Sequence, residues 1–122
     1  MKKIILVLVL FCAFIACKKN QLGGKATING VVSHHEKRIG KAVVYIKFNA
    51  KEFPGTDSSK YDASVIANEA GEFKFECYKG DYYLYGTGLD FRPAATYVNG
   101  GVPVKLRNKE KVDITVAVSE PH

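Results

Sequence analysis

Imidazole, thiol and phenol groups are what this 122-residue chain has to offer for chemistry: three His, three Cys and seven Tyr. His34-His35-Glu36 is one compact group of donors, and Glu120 and His122 make a second near the last residue. Such donors bind zinc or copper when they converge in a rigid site. These two groups read as a turn and a terminal segment, so the expectation is solvated polar loop, with no metal and no cofactor. Cys12, Cys17 and Cys77 are too few for a disulfide framework and too scattered for a zinc site. Cys77 follows Phe73 and Phe75 on the apolar side of an alternating run, with no His close by in sequence to activate it. A buried, inert thiol is expected there, a reactive one being the alternative. No Gly-rich phosphate loop, nucleophile elbow or paired-His metal motif appears. The catalytic set is therefore empty, and the chain reads as a non-enzyme.

The elements that would position these groups are strands. Period-two alternation recurs over residues 28–32, 42–48, 61–67, 72–77, 82–85, 102–106 and 112–118. Glu72-Phe73-Lys74-Phe75-Glu76-Cys77 alternates without exception. Asn68-Glu69-Ala70-Gly71 and Lys79-Gly80-Asp81 can close hairpins, and Asn99-Gly100-Gly101 and Arg107-Asn108-Lys109 bound the sixth run. Pro103 cannot donate to a ladder, which places its strand at an edge. Seven short runs with no long helical period predict an all-β fold, an antiparallel two-layer sandwich. Residues 49–60 and 86–99 are expected to be long loops, with Phe53, Phe91 and Tyr97 either folded onto the sandwich or in contact with a ligand.

Composition excludes a disordered or low-complexity chain: 47% of residues are hydrophobic and 25% charged. Lys plus Arg is 18 against 12 for Asp plus Glu, a net charge of +6. The basic residues are spread and do not cluster, so no nucleic-acid partner is expected.

The chain opens Met1-Lys2-Lys3 and continues apolar from Ile4 to Ala16. A basic start and an apolar run too short for a permanent span read as a helical secretion signal. Its end, Phe14-Ile15-Ala16-Cys17, resembles the lipobox of bacterial lipoproteins, with Phe14 where that motif commonly has Leu. The resemblance implies cleavage between Ala16 and Cys17, acylation of Cys17, and membrane lipid as a partner held through its acyl chains. Residues 1–16 are then the signal, 17–25 the lipidated Cys and tether, 26–118 the domain and 119–122 a tail. The absence of Asp after Cys17 implies the outer membrane, and the lack of an acidic run implies its periplasmic face.

Ile28-Asn29-Gly30-Val31-Val32, Ile39-Gly40-Lys41-Ala42-Val43-Val44-Tyr45-Ile46, Ala67-Asn68-Glu69-Ala70-Gly71-Glu72-Phe73-Lys74-Phe75 and Lys79-Gly80-Asp81-Tyr82-Tyr83-Leu84 together resemble carboxypeptidase regulatory-like domains, as found in Bacteroidetes-type lipoproteins. That family implies a seven-stranded, transthyretin-like (prealbumin-like) Greek-key sandwich. It puts Ile28, Gly30, Val32, Val44, Ile46, Phe48, Val65, Phe73, Phe75, Tyr82, Leu84, Val104, Ile114, Val116 and Val118 in the core. In such sandwiches the first and last strands often run side by side and parallel, so the His34-His35-Glu36 turn and the end with Glu120 and His122 could meet at one rim. The second and fifth strands share a sheet, so Tyr45, Tyr83 and Tyr85 are expected to form an exposed face. The hydrolases of this fold use strand His and Arg residues and a C-terminal Tyr-Arg-Gly-Ser, whereas this chain ends Ser119-Glu120-Pro121-His122. The expected function is a membrane-anchored, non-catalytic binding or scaffold module with an envelope protein as partner. The alternatives are a glycan-binding accessory protein using the Tyr face, or a small hydrolase.

Overall fold

Glu72–Cys77 shows why this chain makes strands. Its charged residues Glu72, Lys74 and Glu76 are exposed, while Phe73, Phe75 and Cys77 are buried on the opposite side. The turn before it is built by Asn68, whose Oδ1 accepts from the backbone N–H of Ala70 (3.0 Å) and of Glu72 (2.9 Å). Gly71 completes that turn at φ +76°, and a Cβ there would press on the carbonyl oxygens of Val32 and Ile39.

In the computed structural model, residues 21–92 and 94–121 are described, and the chain over them is all-β. The strands are β1 (Leu22–His34), β2 (Lys37–Arg38), β3 (Val43–Phe48), β4 (Ala63–Ile66), β5 (Glu72–Cys77), β6 (Gly80–Asp90), β7 (Thr96–Leu106) and β8 (Lys111–Ala117). One 3-10 turn, Ser58–Lys60, is capped by the Asp57 carboxylate. β1 is the centre of the first sheet. Ile28 pairs with Phe75 of β5 on one side and with Val112 of β8 on the other, and β2 continues the β5 side. The second sheet runs β4-β3-β6-β7. The inner rows of both sheets share one core, in which Ile28, Val32, Phe75 and Val116 meet Val44, Ile46, Leu84 and Val98. An isolated bridge from Asn99 to Ser119 ties β7 of one sheet to the segment after β8.

Several expectations need correction. There are eight strands, the extra one being the two-residue β2, and the sheets are not wholly antiparallel, because β1 and β8 pair in parallel as expected of the first and last strands. Residues 22–25, expected in the tether, belong to β1, whose register against β5 shifts between Leu22 and Ala26, where Gly24 lies against the carbonyl of Cys77 with no room for a Cβ. Residues 119–122 were expected as a tail, yet Ser119 is hydrogen-bonded both ways to Asn99 (2.8 and 2.9 Å). Most of residues 86–99, expected as a loop, is strand: β6 runs on to Asp90 and β7 begins at Thr96. Glycines interrupt the apolar alternation there because neighbours fill their space. A Cβ on Gly88 would come within 2.7 Å of Cγ2 of Ile39.

Of the expected core, Phe48, Val65 and Ile114 are only half-buried at its margin. The other expected core residues are buried, and Ile39, Ala42 and Val98 join them. Pro103 lies on β7, the last strand of its sheet.

Candidate functional site

Two places gather polar or aromatic side chains. The first is the rim where β1 and β6 end. On β1 the inward row Ile28, Gly30, Val32 continues to His34, and on β6 the inward row Tyr82, Leu84, Gly86, Gly88 continues to Asp90. The two rows converge from opposite sheets, so an imidazole meets a carboxylate at the end of the core. His34 and Asp90 are each only 5% exposed. His34 Nδ1 lies 2.8 Å from Asp90 Oδ2. Asp90 Oδ1 accepts from the backbone N–H (3.0 Å) and Nε (3.1 Å) of Arg92, whose guanidinium also donates to the Arg38 carbonyl (3.0 Å). The His34 hydrogen bond, followed by Arg92, holds the Asp90 carboxyl at about 2, against the opposing effect of burial. An ionised carboxylate only accepts, so Nδ1 of His34 carries the proton in this bond. Nε2 is then turned away from Asp90. It is buried, has no hydrogen-bond partner, and lies 3.9 Å from Oε1 of Glu120.

The turn beside this cluster is strained. His35 and Glu36 hold φ of 51° and 69°, the two left-handed positions of a tight hairpin, where Asn-Gly is the usual choice. The His35 ring packs on His34 with centroids 4.1 Å apart. Next to the rim, Leu89 and Phe91 are exposed, and they flank a groove of about 270 Å³ that also takes in Ile39, Lys41 and Arg92.

The second place is the outer face of the β4-β3-β6-β7 sheet. Tyr45 and Tyr85 are cross-strand partners, and Tyr83 lies two residues from Tyr85 on the same face. The sheet brings the three together as expected, but not as an exposed patch. Tyr45 and Tyr83 are half-buried, and Tyr85 is only 2% exposed. Residues 49–62 fold back over it. Phe53 stands 5.5 Å and Tyr61 5.6 Å from the Tyr85 ring, centroid to centroid. The covering segment is tied down by the Tyr61 hydroxyl donating to the Gly55 carbonyl (2.8 Å) and by the Phe48 N–H donating to Asp62 (2.7 Å). Asn99 Nδ2 donates to the Tyr85 hydroxyl at 3.0 Å. Burial pushes the phenols of Tyr61 and Tyr85 up to about 12. The rings left exposed are Phe53 and Tyr97.

Cys77 is buried beneath Tyr82, and burial pushes its thiol up to about 11. Ala16 and Cys17 lie outside the described residues. The sequence reading placed His34, His35 and Glu36 near Glu120 and His122 but missed Asp90 and Arg92. The signal was there, since Asp90 continues the parity of Tyr82 and Leu84, but the two glycines between hid it. Among the described residues no helix is long and apolar enough to cross a membrane. Compared with known proteins, the chain matches no family model and no curated protein.

Proposed function

We propose that this chain is a lipid-anchored, non-catalytic binding module of the bacterial cell envelope, a Greek-key sandwich of the transthyretin-like kind. It would be held by acylated Cys17 on the periplasmic face of the outer membrane and would engage an envelope protein. The observation that carries this reading is the opposition of the two ends of β1. The strand begins at Leu22, a few residues after Cys17, and ends at His34 beside Asp90, which lines the groove with Leu89 and Phe91. From Ala26, which like Leu22 lies opposite Cys77, to His34 the strand spans roughly 25 Å, so an anchor at that end would hold the apolar groove clear of the bilayer. The parallel β1–β8 pair and the β3–β6 neighbours support the fold assignment. The raised Cys77 thiol supports a non-catalytic role, because the thiolate is the nucleophile.

Two experiments test it. Cys17→Ala should release the chain from membranes or leave it unprocessed; normal processing and retention of that variant would remove the anchor from the reading. Mild crosslinking of the native chain in its envelope should recover one stoichiometric protein, and Phe91→Ser should abolish that capture. A partner captured equally by Phe91→Ser would exclude the groove.

A second reading, glycan binding, is favoured by one observation: Phe53 is 50% and Tyr97 46% exposed on the aromatic outer face. Saturable binding of a polysaccharide that Phe53→Ser and Tyr97→Ser remove would move the function to that face.

A further inference from the structure

Among the described residues, His34 Nε2 is the buried side-chain polar atom left without a hydrogen-bond partner. Its ring is fixed by the opposite nitrogen. Asp90 accepts the Nδ1–H hydrogen bond, Arg92 donates to Asp90, and the Arg38 carbonyl accepts from Arg92. A neutral imidazole that donates Nδ1–H to a carboxylate presents the Nε2 lone pair on the opposite side, and metal-binding histidines are oriented in this way. The group facing that lone pair is another carboxylate, Glu120, at 3.9 Å. Glu120 is not on a free end, because Ser119 just before it is doubly bonded to Asn99.

The separation itself is informative. At 3.9 Å the two atoms are too far apart to share a hydrogen bond. They are close to the spacing of two ligands across one ion. With zinc about 2.1 Å from each atom, a tetrahedral angle brings nitrogen and oxygen to about 3.4 Å, a closure of about half an ångström. Glu120 has an exposed side chain on which to make that adjustment.

We propose that His34 Nε2 and the Glu120 carboxylate hold a divalent transition-metal ion of the zinc class at this rim. The remaining coordination positions are open to water or to a donor from a bound molecule. No three His, Cys, Asp or Glu side chains form a metal-holding group among the described residues, so His34 and Glu120 alone would hold the ion. Mixed nitrogen and oxygen donors suit Zn²⁺, Ni²⁺ and Cu²⁺ rather than Mg²⁺ or Ca²⁺. The inference does not rest on the anchoring or on the groove.

The test is calorimetric titration of the untagged full chain in detergent with Zn²⁺ alone, followed by Co²⁺ absorption to report the ligand field. One saturable equivalent of Zn²⁺ and no binding of Mg²⁺ are expected. His34→Gln should abolish the binding. Glu120→Gln, at an exposed side chain that leaves the fold intact, should weaken it by about tenfold or more. Asp90→Asn should weaken it by about 10- to 100-fold by releasing the imidazole. Absence of saturable Zn²⁺ binding overturns the proposal. So does binding that Glu120→Gln leaves unchanged, or that is lost in His35→Ala while surviving Glu120→Gln.

Discussion

Tyr85 sits under Phe53 and Tyr61, beside Tyr45, with its hydroxyl bonded to Asn99. It is therefore the keystone of a second, aromatic core on the outside of one sheet. Tyr85→Ala should destabilise the domain by about 3–5 kcal/mol, as removal of a buried ring does. Tyr85→Phe should cost only about 1 kcal/mol, the net worth of one hydrogen bond, with the rings left in place. Chemical denaturation of the two variants checks both figures, and equal losses would mean that the hydroxyl and not the ring matters. The same burial sets a pH dependence. The folded phenols of Tyr61 and Tyr85 stand at about 12, above their ordinary value of 10.0. A group raised in this way contributes stability that is complete below about pH 10 and is lost as pH rises towards about 12. Tyrosinate absorbance should thus lag behind that of the unfolded chain and then rise together with loss of the sheet signal. Full ionisation at pH 10 with the fold intact would show that the cluster is open to water. In the sequence, strand parity sends Tyr45, Tyr83 and Tyr85 outward, the face on which they lie. Parity says nothing about what a loop will lay over them.

The β6–β7 hairpin is the element that sequence reading handled least well, and the reason is physical. Alternation is legible when both faces carry side chains, as in β5, and it disappears where close packing demands glycine. Gly88 yields its Cβ position to Ile39, and Gly100 yields its own to the backbone of Ala117. With those strands cut short, Asp90 and its partnership with His34 were lost from view, while His34 and Glu120 remained visible because they adjoin clean runs. The packing can be tested. Gly88→Ala should cost about 1–3 kcal/mol by overpacking against Ile39. Ile39→Ala should cost about 2–5 kcal/mol by cavity formation. In the double variant the new methyl has room, so the total should fall short of the sum by about 1 kcal/mol or more. Strict additivity would mean that the strand shifts away instead of clashing. The β4–β5 turn was readable from Asn68 and Gly71 alone, since an Asx turn is coded within five residues. Asn68→Ala, which leaves the N–H groups of Ala70 and Glu72 without their acceptor, should cost about 1–2 kcal/mol.

At the scale of the whole molecule, the decisive contact joins the two ends of the chain. β1 pairs along seven positions with β8, from Thr27 with Lys111 to Ser33 with Ala117, and this pairing is parallel. It therefore cannot form as a local hairpin. The Asn99–Ser119 bridge then fastens the segment beyond β8 to the other sheet. Neither sheet is complete without residues from both halves of the sequence: the first needs β1 and β8, and the second spans β3 to β7. The domain should therefore unfold as one cooperative unit, with tyrosine fluorescence and far-ultraviolet circular dichroism giving the same denaturant midpoint. It should fold in milliseconds to seconds, because loop closure over most of the chain precedes the gain from β1–β8 pairing. A chain ending before Lys111 should lose its near-ultraviolet signal altogether, since the core would lose Val116 and Val118 and β1 would present an unpaired edge. Separate midpoints for the two probes, or native-like spectra from the shortened chain, would mean that the β4-β3-β6-β7 sheet with its aromatic outer core stands alone, with β1 and β8 docked onto it afterwards.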